Sequence, residues 1–185
     1  MKTENMSDSE LVKNCLQGDM EAYKQIMGKY TGKAMALAIN MLRNREDAED
    51  VCQEAFISAF QNLDKFDLQG SFRNWFYTMI YNSCIDKIRK KKRFFQFFTR
   101  VKSSQGLIQA NPEPINPYSG WSLDKRYLQS LSPKERLALF LWAQDSFAGE
   151  EIAAILKCSP ATARVHLYKA RKKIKAIIGG ENVAV

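Results

Sequence analysis

Six of the seven residues from 87 to 93 are cations: Lys87, Arg89, Lys90, Lys91, Lys92 and Arg93. Just ahead of them stand Phe72, Trp75, Phe76, Tyr77 and Tyr81. Cations neutralise phosphates, and aromatic faces stack on unpaired bases for about 1–3 kcal/mol each. That combination suits a grip on single-stranded nucleic acid. A second basic series lies near the other end, at Arg164, Lys169, Arg171, Lys172, Lys173 and Lys175. Arg164 is the candidate for a bidentate contact to guanine, and the rest would neutralise phosphates without specifying sequence. Other chemistry is poorly supplied. His166 is the only histidine, and Cys15, Cys52, Cys84 and Cys158 form no Cys-x-x-Cys pair. No metal, cofactor or small-molecule substrate is expected, and the cysteines read as buried, reduced thiols. The acids between 46 and 54 lack histidine partners, which argues against a metal-dependent nuclease.

The charge is divided along the chain. Residues 1–67 hold 8 Lys/Arg and 12 Asp/Glu, a net −4, whereas residues 68–185 hold 20 and 8, a net +12. The first part suits a basic or mixed partner and the second a polyanion. The start, MKTENMSDSE, is polar, and no apolar run approaches the ~20 residues of a membrane span. A soluble cytoplasmic protein without direct membrane insertion is expected. Phe94, Phe95, Phe97 and Phe98 adjoin the basic run, but FFQFF spreads rings around a helix, unlike a one-faced membrane anchor.

The elements that must position these groups are helices. Only 9 Gly and 5 Pro punctuate 185 residues, and no alternating strand pattern persists. Ser7 and Glu10 form a capping box ahead of Leu11, Val12, Cys15 and Leu16. Asp19 caps a helix burying Ala22, Tyr23, Ile26, Met27 and Tyr30, which Gly32 is expected to interrupt before Ala34 to Leu42. Residues 46–63 form the next helix, with Glu46, Asp47, Glu49 and Asp50 at the positive end of its dipole and Val51, Phe56, Ala59, Phe60 and Leu63 buried. After a loop, Ser71 caps a helix of about 71–93 that buries Phe72, Phe76, Ile80, Cys84 and Ile88. Periodicity then dissolves into a stretch punctuated by Pro112, Pro114 and Pro117. The reading is all-α: two small helical bundles, 1–95 and 122–180, joined by a flexible linker at 96–121.

Within the second bundle, Glu150 to Leu156 form a short helix and Lys157-Cys158 a turn. Ser159 is an N-cap with Pro160 at the first helical position, where its missing N–H costs nothing. The following helix buries Ala163, Leu167, Ala170 and Ile174 and shows Arg164, Val165, Tyr168, Lys169 and Lys172. This is a helix-turn-helix whose second helix fits the major groove. An amphipathic hairpin with a solvated basic face would share the charge but not this ordered set of cap, proline and small buried residues.

LSPKERLALFLWAQDSFAGEEIAAILKCSPATARVHLYKARKKIK resembles region four of the extracytoplasmic-function (ECF) sigma factors. RNREDAEDVCQEAFISAFQNLDKF resembles their region two, and FRNWFYTMIYNSCIDKIRKKKR the helix that melts and reads the minus-ten box. The resemblance implies a non-enzymatic subunit that binds core RNA polymerase and directs it to promoter DNA, duplex and single-stranded, under anti-sigma control. It implies polymerase contacts from Asp50, Gln53 and Glu54. It implies minus-ten contacts from Gly70, Ser71, Arg73, Asn74, Trp75, Tyr77, Asn82, Lys87, Arg89 and Lys90. Base capture would use the loop and helix start from Asp67 to Trp75, with Trp75, Tyr77 and Asn82 facing DNA. Minus-thirty-five contacts would come from Ser159, Thr162, Arg164, Val165, His166, Tyr168, Lys169, Arg171 and Lys172. The helix from Ser132, another capping box with Pro133 and Glu135, would meet the polymerase flap. The chain departs from the family at Lys157, where Gly is usual in the turn, and at Ala161, Ala163 and His166. The rival reading is an autonomous helix-turn-helix regulator, which would have no need of an acidic docking helix beside an aromatic one.

Overall fold

A computed structural model describes residues 6–102 and 129–181. Of the linker expected at 96–121, residues 103–121 lie outside the described residues, and its first part, 96–102, is helical rather than linker. All regular structure within them is helical.

Helix α1 (Asp8–Leu16) begins at the Ser7 capping box: the Glu10 N–H donates to Ser7 Oγ at 3.3 Å, and the Ser7 N–H donates to Glu10 Oε2 at 2.8 Å. Helix α2 (Met20–Leu42) is capped by Asp19, which accepts from the Glu21 and Ala22 N–H groups. It runs through Gly32 without the expected interruption. One glycine costs a helix only about 1 kcal/mol, and packing of the residues on either side outweighs that. Arg43 ends α2 in the left-handed region, at φ 58°, and Asn44 caps α3 (Arg45–Gln61) by accepting from the Asp47 N–H at 2.8 Å. A 3-10 turn (Leu63–Lys65) leads to the loop before α4 (Phe72–Lys102), whose Asn74 N–H donates to Ser71 Oγ. Helix α4 continues well past its expected end near 93. The apolar stripe stops there because burial stops, but no Gly or Pro occurs between 72 and 102 to stop the helix.

The first core is ring-rich. Phe56 and Phe76 lie 4.7 Å apart, Phe72 stacks on Phe76 at 5.9 Å, and Tyr30 and Phe66 pack edgewise around them. Tyr23 donates its hydroxyl to the Phe56 carbonyl. Three expected core residues differ: Phe60 is 41% exposed, Leu16 46% and Met27 38%. Each stands at the edge of its apolar stripe, where no further helix among the described residues covers it.

The second unit comprises α5 (Pro133–Asp145), α6 (Gly149–Leu156) and α7 (Pro160–Glu181). Ser132 and Glu135 form the expected capping box on α5. Glu135 is buried and takes a 2.7 Å hydrogen bond from Lys173 Nζ. Burial alone would raise its carboxyl pKa, but Lys173 and the Ser132 N–H outweigh burial and hold it below the usual value. Ile152, Ala153, Ile155 and Leu156 are buried from α6, as the sequence predicts.

Lys157 closes α6 at φ 50°, ψ 55°, the left-handed cap that glycine ordinarily fills. A side chain there carries about 1–2 kcal/mol of strain, partly offset by glycine's larger unfolded-state entropy. Lys157→Gly should therefore stabilise the chain by about 0.5–1 kcal/mol, read as a higher urea midpoint. A lowered midpoint would mean that Lys157 makes a compensating contact.

The two units share one apolar core: α6 packs across α4, and α5 against α2. No helix among the described residues is long and apolar enough to cross a membrane.

Candidate nucleic-acid interface

Helix α7 presents the set expected to read the upstream box. Ser159 caps it, accepting from the Thr162 N–H at 3.2 Å and pairing with the Thr162 hydroxyl at 2.9 Å. Ala163 and Ala170 are buried, which turns Arg164, Val165, Tyr168, Lys169, Arg171 and Lys172 outward. Arg164 meets Glu150 only at 3.5 Å, with both side chains mostly exposed, so the contact holds it weakly. Arg171 lies over the Trp142 ring of α5, 5.0 Å from its centroid. His166 is half-buried; burial and then Lys134 hold its imidazole below the ordinary value, against an opposing pull from Glu135. One expected phosphate contact is corrected. Lys173 turns inward to Glu135 and to the Ser130 carbonyl at 3.1 Å, completing the fold.

The set expected to read the downstream box runs from Gly70 into α4. The Gly70 N–H donates to the Asp67 carbonyl at 2.8 Å, and a Cβ at Gly70 would approach that oxygen to 3.1 Å, so the tight turn favours glycine. Trp75 is half-buried against Phe66 and Phe72. Asn82 is half-buried, while Ser71, Arg89 and Lys90 are exposed. Arg73 and Asn74 both donate to Glu151 of α6, at 3.1 and 3.2 Å. Tyr77, expected to face DNA, is instead fully buried, stacked 5.6 Å from Phe147. It sits one turn beyond Arg73 and Asn74, on the face that α6 covers. The sequence gives no local sign of this, because the covering residues come some seventy positions later.

On α3, Asp50, Gln53 and Glu54 are exposed on one face. Ile57, 53% exposed, and Phe60 extend that face by a turn and a half with apolar surface. Ile57 is absent from the expected contact set, although its i+3 and i+4 spacing from Glu54 and Gln53 marks it as a neighbour. Lys87 reaches across from α4 to Asp50 at 3.0 Å and Asp47 at 3.5 Å, and Lys91 also pairs with Asp47. The Asp50 hydrogen bond is the main influence raising the Lys87 ammonium above its usual value. An expected DNA contact is thus joined to an expected polymerase contact. Among the described residues no three His, Cys, Asp or Glu side chains are grouped as metal ligands. Burial pushes the Cys52 thiol up to about 12 and raises Cys84 as well.

An all-helical pair of units with basic, ring-bearing reading helices defines a class of nucleic-acid-reading protein, and comparison with known proteins fixes the family. Residues 26–94 match Sigma-70 region 2, and residues 125–174 match Sigma-70, region 4. The ECF RNA polymerase sigma factor SigW of Bacillus subtilis is 31% identical over 173 residues, covering 89% of this chain and 92% of its own. The ECF RNA polymerase sigma-E factor of Escherichia coli is 28% identical over 181 residues, covering 93% and 94%. Among solved structures, the sigma factor RpoE in complex with the anti-sigma factor NepR from Bartonella quintana aligns with a TM-score of 0.70 at 25% identity, over 85% of this chain and 96% of its own. CnrH in complex with the cytosolic domain of CnrY shares the fold, with a TM-score of 0.66 at 24% identity, over 94% and 97%. The chain belongs to the ECF sigma factors of the sigma-70 family.

Proposed function

We propose that this chain docks on core RNA polymerase through the exposed α3 face of Asp50, Gln53 and Glu54, with Ile57 and Phe60 adding apolar contact. Helix α7 reads the duplex minus-thirty-five box. The Asp67–Trp75 segment holds the opened minus-ten strand, and the cations from Lys87 onward track its backbone. The chain itself catalyses nothing; strand capture supplies part of the free energy of opening, and phosphodiester chemistry belongs to the polymerase. It acts in the cytoplasm, where polymerase and promoters are. Control by an anti-sigma factor is part of this reading, supported by the related sigma factor solved with NepR.

The observation that carries the proposal is that one chain holds two distinct basic helices, the ring-bearing α4 and the α7 of a helix-turn-helix, beside the acidic exposed face of α3. An autonomous regulator needs only α7. The test is co-elution with core polymerase, wild type against the triple Asp50→Ala, Gln53→Ala, Glu54→Ala variant. At about 1 kcal/mol for each contact removed, affinity should fall about a hundredfold. Wild-type chain that binds duplex DNA but not polymerase would point to an autonomous regulator instead.

A further inference from the structure

The α4 face assigned to the opened strand is occupied by the chain itself. Glu151 accepts from Arg73 Nη2 at 3.1 Å and from Asn74 Nδ2 at 3.2 Å. Its carboxylate is also fixed from behind, because its other oxygen takes the Ala148 N–H at 2.9 Å at the start of α6. Phe147 stacks on Tyr77, and the Arg73 guanidinium sits over the same ring, 3.9 Å from its centroid. A carboxylate offers Arg73 and Asn74 what a phosphate or base carbonyl would: charged or polar oxygen acceptors. A phenyl ring offers Tyr77 and Arg73 what a base would: a flat π face.

The contact is also under-satisfied. Asn74 Oδ1, Arg136 Nε and Arg43 Nε are buried without a hydrogen-bond partner within the protein. Arg136 crosses from α5 to the Asn40 carbonyl at 3.3 Å and lies beside Arg43; burial, and then that like charge, pull its guanidinium down to about 10. Opening would return these groups to water or hand them to a partner, which works against permanent closure. Specific attraction and orphaned polar groups within one contact are the makings of a two-state contact.

We infer that α6 is a self-occluding latch. In the closed chain Glu151 and Phe147 stand where a phosphate and a base of the opened strand would sit, and the strand is admitted only when the helix-turn-helix unit swings away. This rests on the assignment of the Asp67–Trp75 segment, with Arg73 and Asn74, to that strand made above.

The full-length chain is compared with Glu151→Gln, Phe147→Ala and the remote charge control Glu21→Gln. Glutamine at the third helical position also accepts the N-cap N–H, so Glu151→Gln keeps α6 intact and decides the matter should Phe147→Ala fail to fold. Two quantities are read: the radius of gyration from small-angle X-ray scattering, and the affinity for fluorescent single-stranded DNA of randomised sequence. Raising the open fraction from about a tenth to about a half tightens apparent binding about fivefold. Glu151→Gln should expand the chain and tighten binding by about that factor, with Glu21→Gln doing neither. If either quantity stands still in Glu151→Gln, or moves equally in Glu21→Gln, the latch is overturned. Wild-type co-elution with polymerase, run alongside, separates the two ideas: its loss sinks the sigma reading, and its persistence with an unmoved Glu151→Gln sinks the latch alone.

Discussion

Phe76→Ala should cost the chain about 3–5 kcal/mol, the usual result of removing a fully buried ring that its surroundings cannot collapse to fill. The side chain has no solvent exposure, and it is bounded by Phe56, Phe72 and Tyr30 with ring centroids between 4.7 and 5.9 Å. Those neighbours come from three helices, so relaxation toward the void would have to move all three. Against the total of about 5–15 kcal/mol that holds a typical domain, such a loss brings the chain close to unfolding at ordinary temperature. The consequence extends to function, because Tyr77 follows on the same helix and Phe147 stacks on it. Urea unfolding followed by far-ultraviolet circular dichroism reads the effect. Ile57→Ala, on the exposed α3 face, should move the same midpoint by no more than about 0.5 kcal/mol while weakening polymerase binding. Equal shifts for the two would mean that the ring cluster is not the core.

The comparison of Phe76 with Ile57 illustrates what the sequence makes legible. Helix starts are written locally: Ser7, Asp19, Asn44, Ser71, Ser132 and Ser159 each cap the helix beside them, since a cap needs only a side-chain oxygen and an N–H two or three residues on. The buried faces of α4, α6 and α7 follow from 3.6-residue periodicity in the same way. Helix ends are less legible. The end of apolar periodicity marks where packing stops, and in α4 the backbone keeps its hydrogen bonds beyond that point. Long-range covering was not legible at all. Tyr77 and Lys173 look like surface ligands in their own segments, and only the arrival of Phe147 and Glu135 makes them structural. The latch belongs to the same category, since it joins residues 73 and 74 to residue 151. Resemblance to a family supplies the roles of a surface, but it does not say which surface the chain covers with itself.

Raising salt from about 50 to about 200 mM should weaken binding to a short duplex about 500-fold, if α7 and its surroundings neutralise about five phosphates. Exposed Arg164, Lys169, Arg171, Lys172 and Lys175 supply that number of cations on one helix. Each phosphate neutralised adds about −0.9 to the slope of log affinity against log salt, so the wild-type slope should be about −4.5. The structure assigns the cations different fates. The Lys169→Ala, Lys172→Ala double variant should make the slope shallower by about 2 and weaken all sequences alike. Arg164→Ala should change the slope by one unit or less, yet cost about 1–3 kcal/mol on sequences that the wild type selects from a random pool. Lys173→Ala should leave the slope unchanged and lower stability instead, because its ammonium is committed to the buried carboxylate of Glu135. A slope that Lys173→Ala flattens as much as Lys169→Ala would show that this ion pair opens on DNA. A wild-type slope near zero would remove phosphate neutralisation from the account of α7 and, with it, the major-groove reading of that helix.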